Sequence, residues 1–258
     1  MTRSVVCFVL GNLLLLTSVA QQGPPANPPA SQQTPPADKS QKPQDPKPAD
    51  KNQSGTSNDR LFYALPNFLT LENAGQVAPL TIGEKFKVVT RGSFDYIQIP
   101  WYGFLAGISQ AENSEPGYGQ GAKGYGKRFG SAFADGTIEN YMTGAVLPSL
   151  LRQDPRFFQK GQGTFLHRTG YAVSRILVTR TDSGHQQFNY SEIVGSAMSA
   201  AISTYSYHPK GDRTLPNTAS VWGTQVGYDT ITIVVKEFWP DIRRKLSKKK
   251  AAPSEVSP

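Results

Sequence analysis

Six charged residues stand at spacings that could do chemistry. Asp135 and Glu139 are four apart, so one helix face would carry both carboxylates. Like charges in that register repel by a few tenths of a kcal/mol, roughly, when exposed, and become favourable only beside cations. Arg168 and Arg175, seven apart on another helical stretch, are the available cations; Asp229 and Lys236 repeat the seven-residue step near the end of the chain. Asp135, Glu139, Arg168, Arg175 and Asp229 are therefore the candidate binding residues. Their plainest reading is a salt-bridged network between helices, and their functional reading is a charged cleft.

Other motifs carry less. His167, His185 and His208 are too scattered for a helical metal pair, and a single Cys leaves zinc without its usual thiolates, so neither a metal site nor a cofactor is expected. Gly119-Gln-Gly-Ala-Lys-Gly124 matches the dinucleotide fingerprint by letter but follows Ser114-Glu-Pro rather than an apolar strand, and reads as a loop. Neither a P-loop nor a nucleophile elbow occurs. Ser183-Gly184-His185 resembles the Ser-Gly-His element of lipid and acid phosphatases, and Ser174-Arg175 is similar to part of their third motif. That resemblance makes Arg168, Arg175 and His185 the candidate catalytic set. The order of the motifs is inverted, however, and Thr181 stands where the nucleophilic His belongs.

The net charge of +8 is not spread over the chain. Residues 61–242 hold 15 basic and 14 acidic residues, while Arg243, Arg244, Lys245, Lys248, Lys249 and Lys250 crowd the end. A nearly neutral folded part argues against a nucleic-acid partner. The terminal run suits either solvation or an anionic surface, where each cation adds about 1 kcal/mol.

At the other end, Arg3, the apolar run Val5–Leu16 and the small residues Ser18-Val-Ala20 form an export signal spanning 1–20. Residues 21–60 are Pro-rich and contain no Val, Ile, Leu, Met, Phe, Tyr or Trp, which predicts a disordered, extended linker. Apolar residues return at Leu61, so a helical domain is placed over 61–243, with a basic disordered tail over 244–258.

Within that domain Thr81-x-x-Glu84 and Asn189-x-x-Glu192 have capping-box spacing. Helices are expected from Thr81 to Arg91, over Phe94–Ala111 with Pro100 kinking or splitting it, and over Lys127–Arg152, Phe165–Arg180 and Asn189 to His208. The last runs from Pro216 to Trp239, although Thr230–Val235 is β-branched enough to make a strand. Small residues four apart (Gly195, Ser199 and Ser203; Gly223 and Gly227; Gly126, Gly130 and Ala134) allow close helix approach. Charges inside the helices argue against transmembrane spans. The fold class is mainly α, a compact bundle of about five or six small-residue-rich helices after the Pro-rich spacer.

Arg152-Gln-Asp-Pro-Arg-Phe-Phe158, Thr179-Arg-Thr-Asp-Ser-Gly184, Phe188-Asn-Tyr-Ser-Glu192 and Lys236-Glu-Phe-Trp-Pro-Asp-Ile242 together resemble a group of exported bacterial proteins of uncharacterised function, with a signal peptide, a Pro-rich stretch and a helical domain. The resemblance implies export and these domain limits, and transfers no catalytic residue. The expectation is a non-enzymatic protein of the periplasm or cell envelope, associating with a membrane surface or a protein partner. The alternative is a hydrolase of a phosphorylated or lipidic envelope substrate.

Overall fold

Thr81 opens the first helix by accepting a hydrogen bond from the Glu84 amide while the Glu84 side chain accepts one from the Thr81 amide. The capping box is formed at its expected place and starts α1, Ile82–Ser93. In this computed structural model residues 56–72 and 77–251 are described; the stretch read as an export signal and nearly all of the stretch read as a linker lie outside them. Pro100 sits in the first turn of α2, Gln98–Glu112, where a missing N–H costs nothing, so it starts a separate helix rather than kinking a longer one. α3, Gly121–Tyr141, passes through a π-turn at Met142–Val146 into α4, Leu147–Leu151. α5 spans Phe165–Leu177, α6 Tyr190–Ser206 and α7 Leu215–Ala251. With α3 and α4 counted as one rod, the described residues form six helical rods, and the fold is mainly α as expected.

Short strands tie the rods together. β1 (Arg60–Leu61) pairs antiparallel with β2 (Leu65–Pro66), and β3 (Thr70–Leu71) pairs parallel with β5 (Phe157–Phe158). β4 (Gln153–Asp154), β6 (Val178–Thr181) and β7 (Gln186–Phe188) make a three-stranded sheet with β6 central. The helix expected to reach Arg180 therefore stops at Leu177. Val178-Thr-Arg-Thr181 prefers the pleated state, and Asp182-Ser-Gly184, with Gly184 at φ 90°, turns it into β7. Lys85, almost fully buried, locks this turn by donating to the Asp182 carboxylate and to the carbonyls of Gln153 and Pro148.

The last helix departs furthest from expectation. It does not end at Trp239 but continues through Pro240 to Ala251, and Thr230–Val235 is helical within it. Pro240 has no N–H, which leaves the Lys236 carbonyl one turn earlier without its helical donor. The Gln159 side-chain amide donates to that carbonyl instead, and Arg168 donates to the next one, of Glu237, at 2.7 Å. The residues read as a disordered basic tail are helical as far as 251, consistent with the good helix propensity of Lys and Arg and their favourable place at a helix C-terminus. At the other boundary Asp59 and Glu72 pair with Arg243, so the folded unit takes in the last residues assigned to the linker.

Close approach is real at Gly195, where an added Cβ would lie 3.2–3.3 Å from Thr143 and the Met142 backbone, and at Gly136, where it would lie 1.9 Å from the Tyr102 hydroxyl. Gly126, Gly130, Gly223 and Gly227 have nothing within 4 Å, so those stripes do not pack. Tyr102 is buried and its ring meets Phe133 edge-on, so it has no room to retreat. Gly136→Ala is expected to destabilise the domain by about 1–3 kcal/mol, the usual cost of overpacking, measured by urea denaturation.

Candidate functional site

The partition of residues is inverted on several helices. On α6 the inward face carries Ser191, Ser196, Ser199, Ser203 and Thr204, all buried, while Tyr190, Val194, Met198, Ile202 and Tyr205 point outward and are each 42–49% exposed. α2 exposes Ile99, Trp101, Phe104 and Ile108, and α7 exposes Tyr228 and Ile231. The compact apolar core is small, built on Phe68, Val88, Val89 and Ala145. No helix among the described residues is long and apolar enough to cross a membrane.

Inside this frame four ionisable side chains meet. Glu139 comes from α3, Glu192 from α6, and Asp229 and Lys236 from α7. Burial pushes Glu139 up to about 9, reinforced by the negative charge of Asp229 and then of Asp135. Burial likewise raises Glu192 well above the ordinary carboxyl range, again beside Asp229. Asp229 is also raised by burial, less so because it accepts hydrogen bonds from the protonated Glu192 and Glu139 and faces the Lys236 charge. Burial lowers Lys236, while Asp229 and Glu192 draw it back up. The four side chains are partly buried, and their environment favours the protonated form of the three acids and the neutral form of the lysine.

Two cavities meet at this cluster. One, of about 130 Å³, is lined by residues of α5, α6, α7 and the three-stranded sheet. The other, of about 230 Å³, runs toward α1 and the β2–β3 segment. Thr143, Glu192, Asp229 and Lys236 border both. Glu192, Asp229 and Lys236, each partly buried, thus face space that water or a small ligand can fill.

A second cluster lies where the 115–118 segment, α3 and the end of α6 meet. His208 is buried, with Nδ1 3.3 Å from Glu115 and Nε2 3.2 Å from both Ser131 Oγ and Asp135. Tyr207 donates to Asp135, and Tyr118 donates to Ser131 at 2.8 Å. Ser131, His208 and Glu115 have the connectivity of a hydrolytic triad, and Ser131 and His208 border a groove of about 530 Å³ with Lys127, Lys210 and Arg213. The second carboxylate spoils the chemistry. With an acid at each ring nitrogen, His208 is raised to about 9 against a substantial burial penalty, so at neutral pH it is an imidazolium with no lone pair for the serine proton. This is an electrostatic clamp between segments.

The residues singled out from sequence are dispersed. Asp135 serves the His208 clamp, whereas Glu139 joins Asp229 in the interior cluster, so the two do not act together despite sharing a helix. Neither pairs with Arg168 or Arg175. Arg168 donates to Glu237 and Asp241 on α7 instead, and with Asp241 it borders a different cavity. Arg175 lines the 130 Å³ cavity. His185 sits in the β6–β7 turn, exposed, with Nδ1 3.1 Å from Ser183 Oγ. Of the three proposed catalytic side chains, Arg175 alone borders the interior cavity.

Glu192 escaped notice because Asn189-x-x-Glu192 looked like a cap. Asn189 does accept from the Glu192 amide, but the Glu192 carboxyl turns inward. The signal was available: Glu192 is the sole charged residue in the 17 of α6. Comparison of the chain with protein-family models, curated proteins and solved structures finds no match.

Proposed function

We propose that this is a non-enzymatic protein of the cell envelope that acts while seated on a membrane surface. The observation that carries the reading is the inverted α6, whose hydroxyls face the interior while Val194, Met198 and Ile202 face outward. An aliphatic side chain moved fully from water to an apolar phase gains about 1.5–3 kcal/mol, so these three, each 42% exposed, offer together roughly 2–4 kcal/mol. Tyr190 and Tyr205 flank the stripe as amphipathic rings do at a headgroup boundary. The basic stretch after Asp241 supplies attraction to anionic lipid. The leader and spacer read from the sequence support delivery to that compartment.

The hydrolase alternative needs Arg168, Arg175 and His185 on one anion. Arg168 is engaged by Glu237 and Asp241, and His185 lies in an exposed turn, so no observation favours it.

Vesicle flotation tests the reading. The protein as processed by a bacterial host is expected to float with phosphatidylglycerol-containing vesicles, and Val194→Asp with Ile202→Asp should weaken that binding at least tenfold. A wild-type chain left wholly in the soluble fraction, or a stable dimer that hides α6 and ignores lipid, would overturn it.

A further inference from the structure

We propose that the 130 Å³ cavity between α5, α6, α7 and the β4–β6–β7 sheet binds a short-chain monocarboxylate, its carboxylate held by Arg175 and Lys236 and its hydrocarbon tail laid against Phe157, Ile176 and Ile233.

The argument begins with the cations around this space. Arg156 is committed to Asp154 through contacts of 2.6–3.1 Å and to the Ala78 carbonyl. Arg180 lies over the Phe158 ring, its guanidinium carbon 4.3 Å from the centroid. Arg175 lies over Tyr171, its guanidinium carbon 4.9 Å from the ring centroid, and its hydrogen bonds to the adjacent Ser174 hydroxyl are long, 3.3 and 3.4 Å. Among the described residues no carboxylate lies within ion-pair distance of Arg175 or of Lys236. Stacking fixes the plane of Arg175 and leaves N–H donors in that plane, the geometry that accepts a carboxylate edge-on.

Charge sets the sign of the ligand. Arg175, Arg180 and Lys236 all border this space, and among the described residues none has a carboxylate within ion-pair distance, so the walls favour an anion. A dianion would bring its second charge against Asp229 and Asp154, which line the same walls. The lining also includes Phe157, Phe158, Ile176, Val178 and Ile233, so the ligand has a hydrocarbon part. An apolar cavity of about 150 Å³ accommodates benzene, which has six heavy atoms. A volume of about 130 Å³ therefore fits an acid of butyrate size.

The test uses the full-length gene product as processed by its bacterial host, with sodium butyrate as the probe at constant ionic strength. Saturable heat in calorimetric titration and a rising melting temperature are expected, with submillimolar affinity. Succinate and inorganic phosphate should bind at least tenfold more weakly. Arg175→Met should weaken butyrate at least tenfold while the ligand-free melting temperature holds. Ile233→Phe, which fills the cavity and leaves the charges in place, should also abolish binding. Absence of saturable butyrate binding, preference for phosphate or succinate, or unchanged affinity in Ile233→Phe would each overturn the proposal. Retention of butyrate binding in the Val194→Asp, Ile202→Asp variant separates this site from the membrane face.

Discussion

Replacing Glu237 by alanine is expected to cost the domain about 3–5 kcal/mol, the range found when one member of a buried ion pair is removed. Glu237 is fully buried; one carboxylate oxygen accepts from Arg168 Nε at 2.8 Å and from the Gly161 amide at 3.0 Å, and the other accepts from the Lys160 amide at 2.9 Å. Truncation strands two backbone donors and half of the Arg168 fork. Asp241 still holds Arg168 Nη1, but from a more solvated position. The same region is where Gln159 and Arg168 satisfy the carbonyls around Pro240, so loosening the 159–161 segment also uncovers the break in α7. For a domain of this size the melting temperature should fall by roughly 10 °C, at about 2–4 °C per kcal/mol. Glu237→Gln keeps acceptors for the amides and should lose distinctly less. A loss under about 1 kcal/mol for the alanine variant, read from chemical denaturation, would show that the junction is held elsewhere.

The second large effect is a loss of stability toward alkaline pH. Glu139 has an ordinary value of 4.5 and is raised to about 9 in the folded protein. Between those values the native state binds more protons than the unfolded chain, so stability falls as pH rises, by a total on the order of a few kcal/mol. Glu192 and Asp229 are raised as well and act in the same direction. His208, raised from 6.5 to about 9, contributes stability that is complete below 6.5 and is lost as pH climbs through 9. Lys236, lowered by burial, opposes them above its folded value. At the acid end Asp95 and Asp241 are lowered by Arg60 and Arg168, so their support disappears as pH falls below the ordinary carboxylate range. Melting temperature should therefore peak on the acid side of neutrality and decline steadily to pH 9. Glu139→Gln, a neutral copy of the protonated side chain, should flatten the alkaline limb. Parallel curves for this variant and the wild type between pH 6 and 9 would mean that Glu139 is ionised in the native protein.

Local chemistry explains what the chain discloses by itself. The Thr81 cap, the helical periodicity of α3 and α5, the turn at Asp182-Ser-Gly184 and the separation of a balanced domain from a basic end all arise from residues within a few positions of one another. Their energies are decided by neighbours in sequence, and the mainly α fold follows from them. Even the two large helix errors, at Arg180 and Pro240, mark points where remote groups intervene: β4 pairs with β6, and Gln159 and Arg168 supply donors around the proline.

The functional clusters depend on which faces meet, and no periodicity reports that. Asp135 and Glu139 share a helix face in the sequence, yet one meets His208 and Tyr207 from the end of α6 while the other meets Asp229 and Glu192. Small residues four apart look alike at Gly195 and Gly223, but only Gly195 has a neighbouring backbone against it. Sequence by itself determined the helical class and where most rods begin, because each depends on local periodicity and capping. Tertiary structure alone decided that α6 turns its hydroxyls inward, that three acids and a lysine share one interior, and that Arg175 is left without a carboxylate, because burial and charge pairing depend on groups brought together from distant parts of the chain.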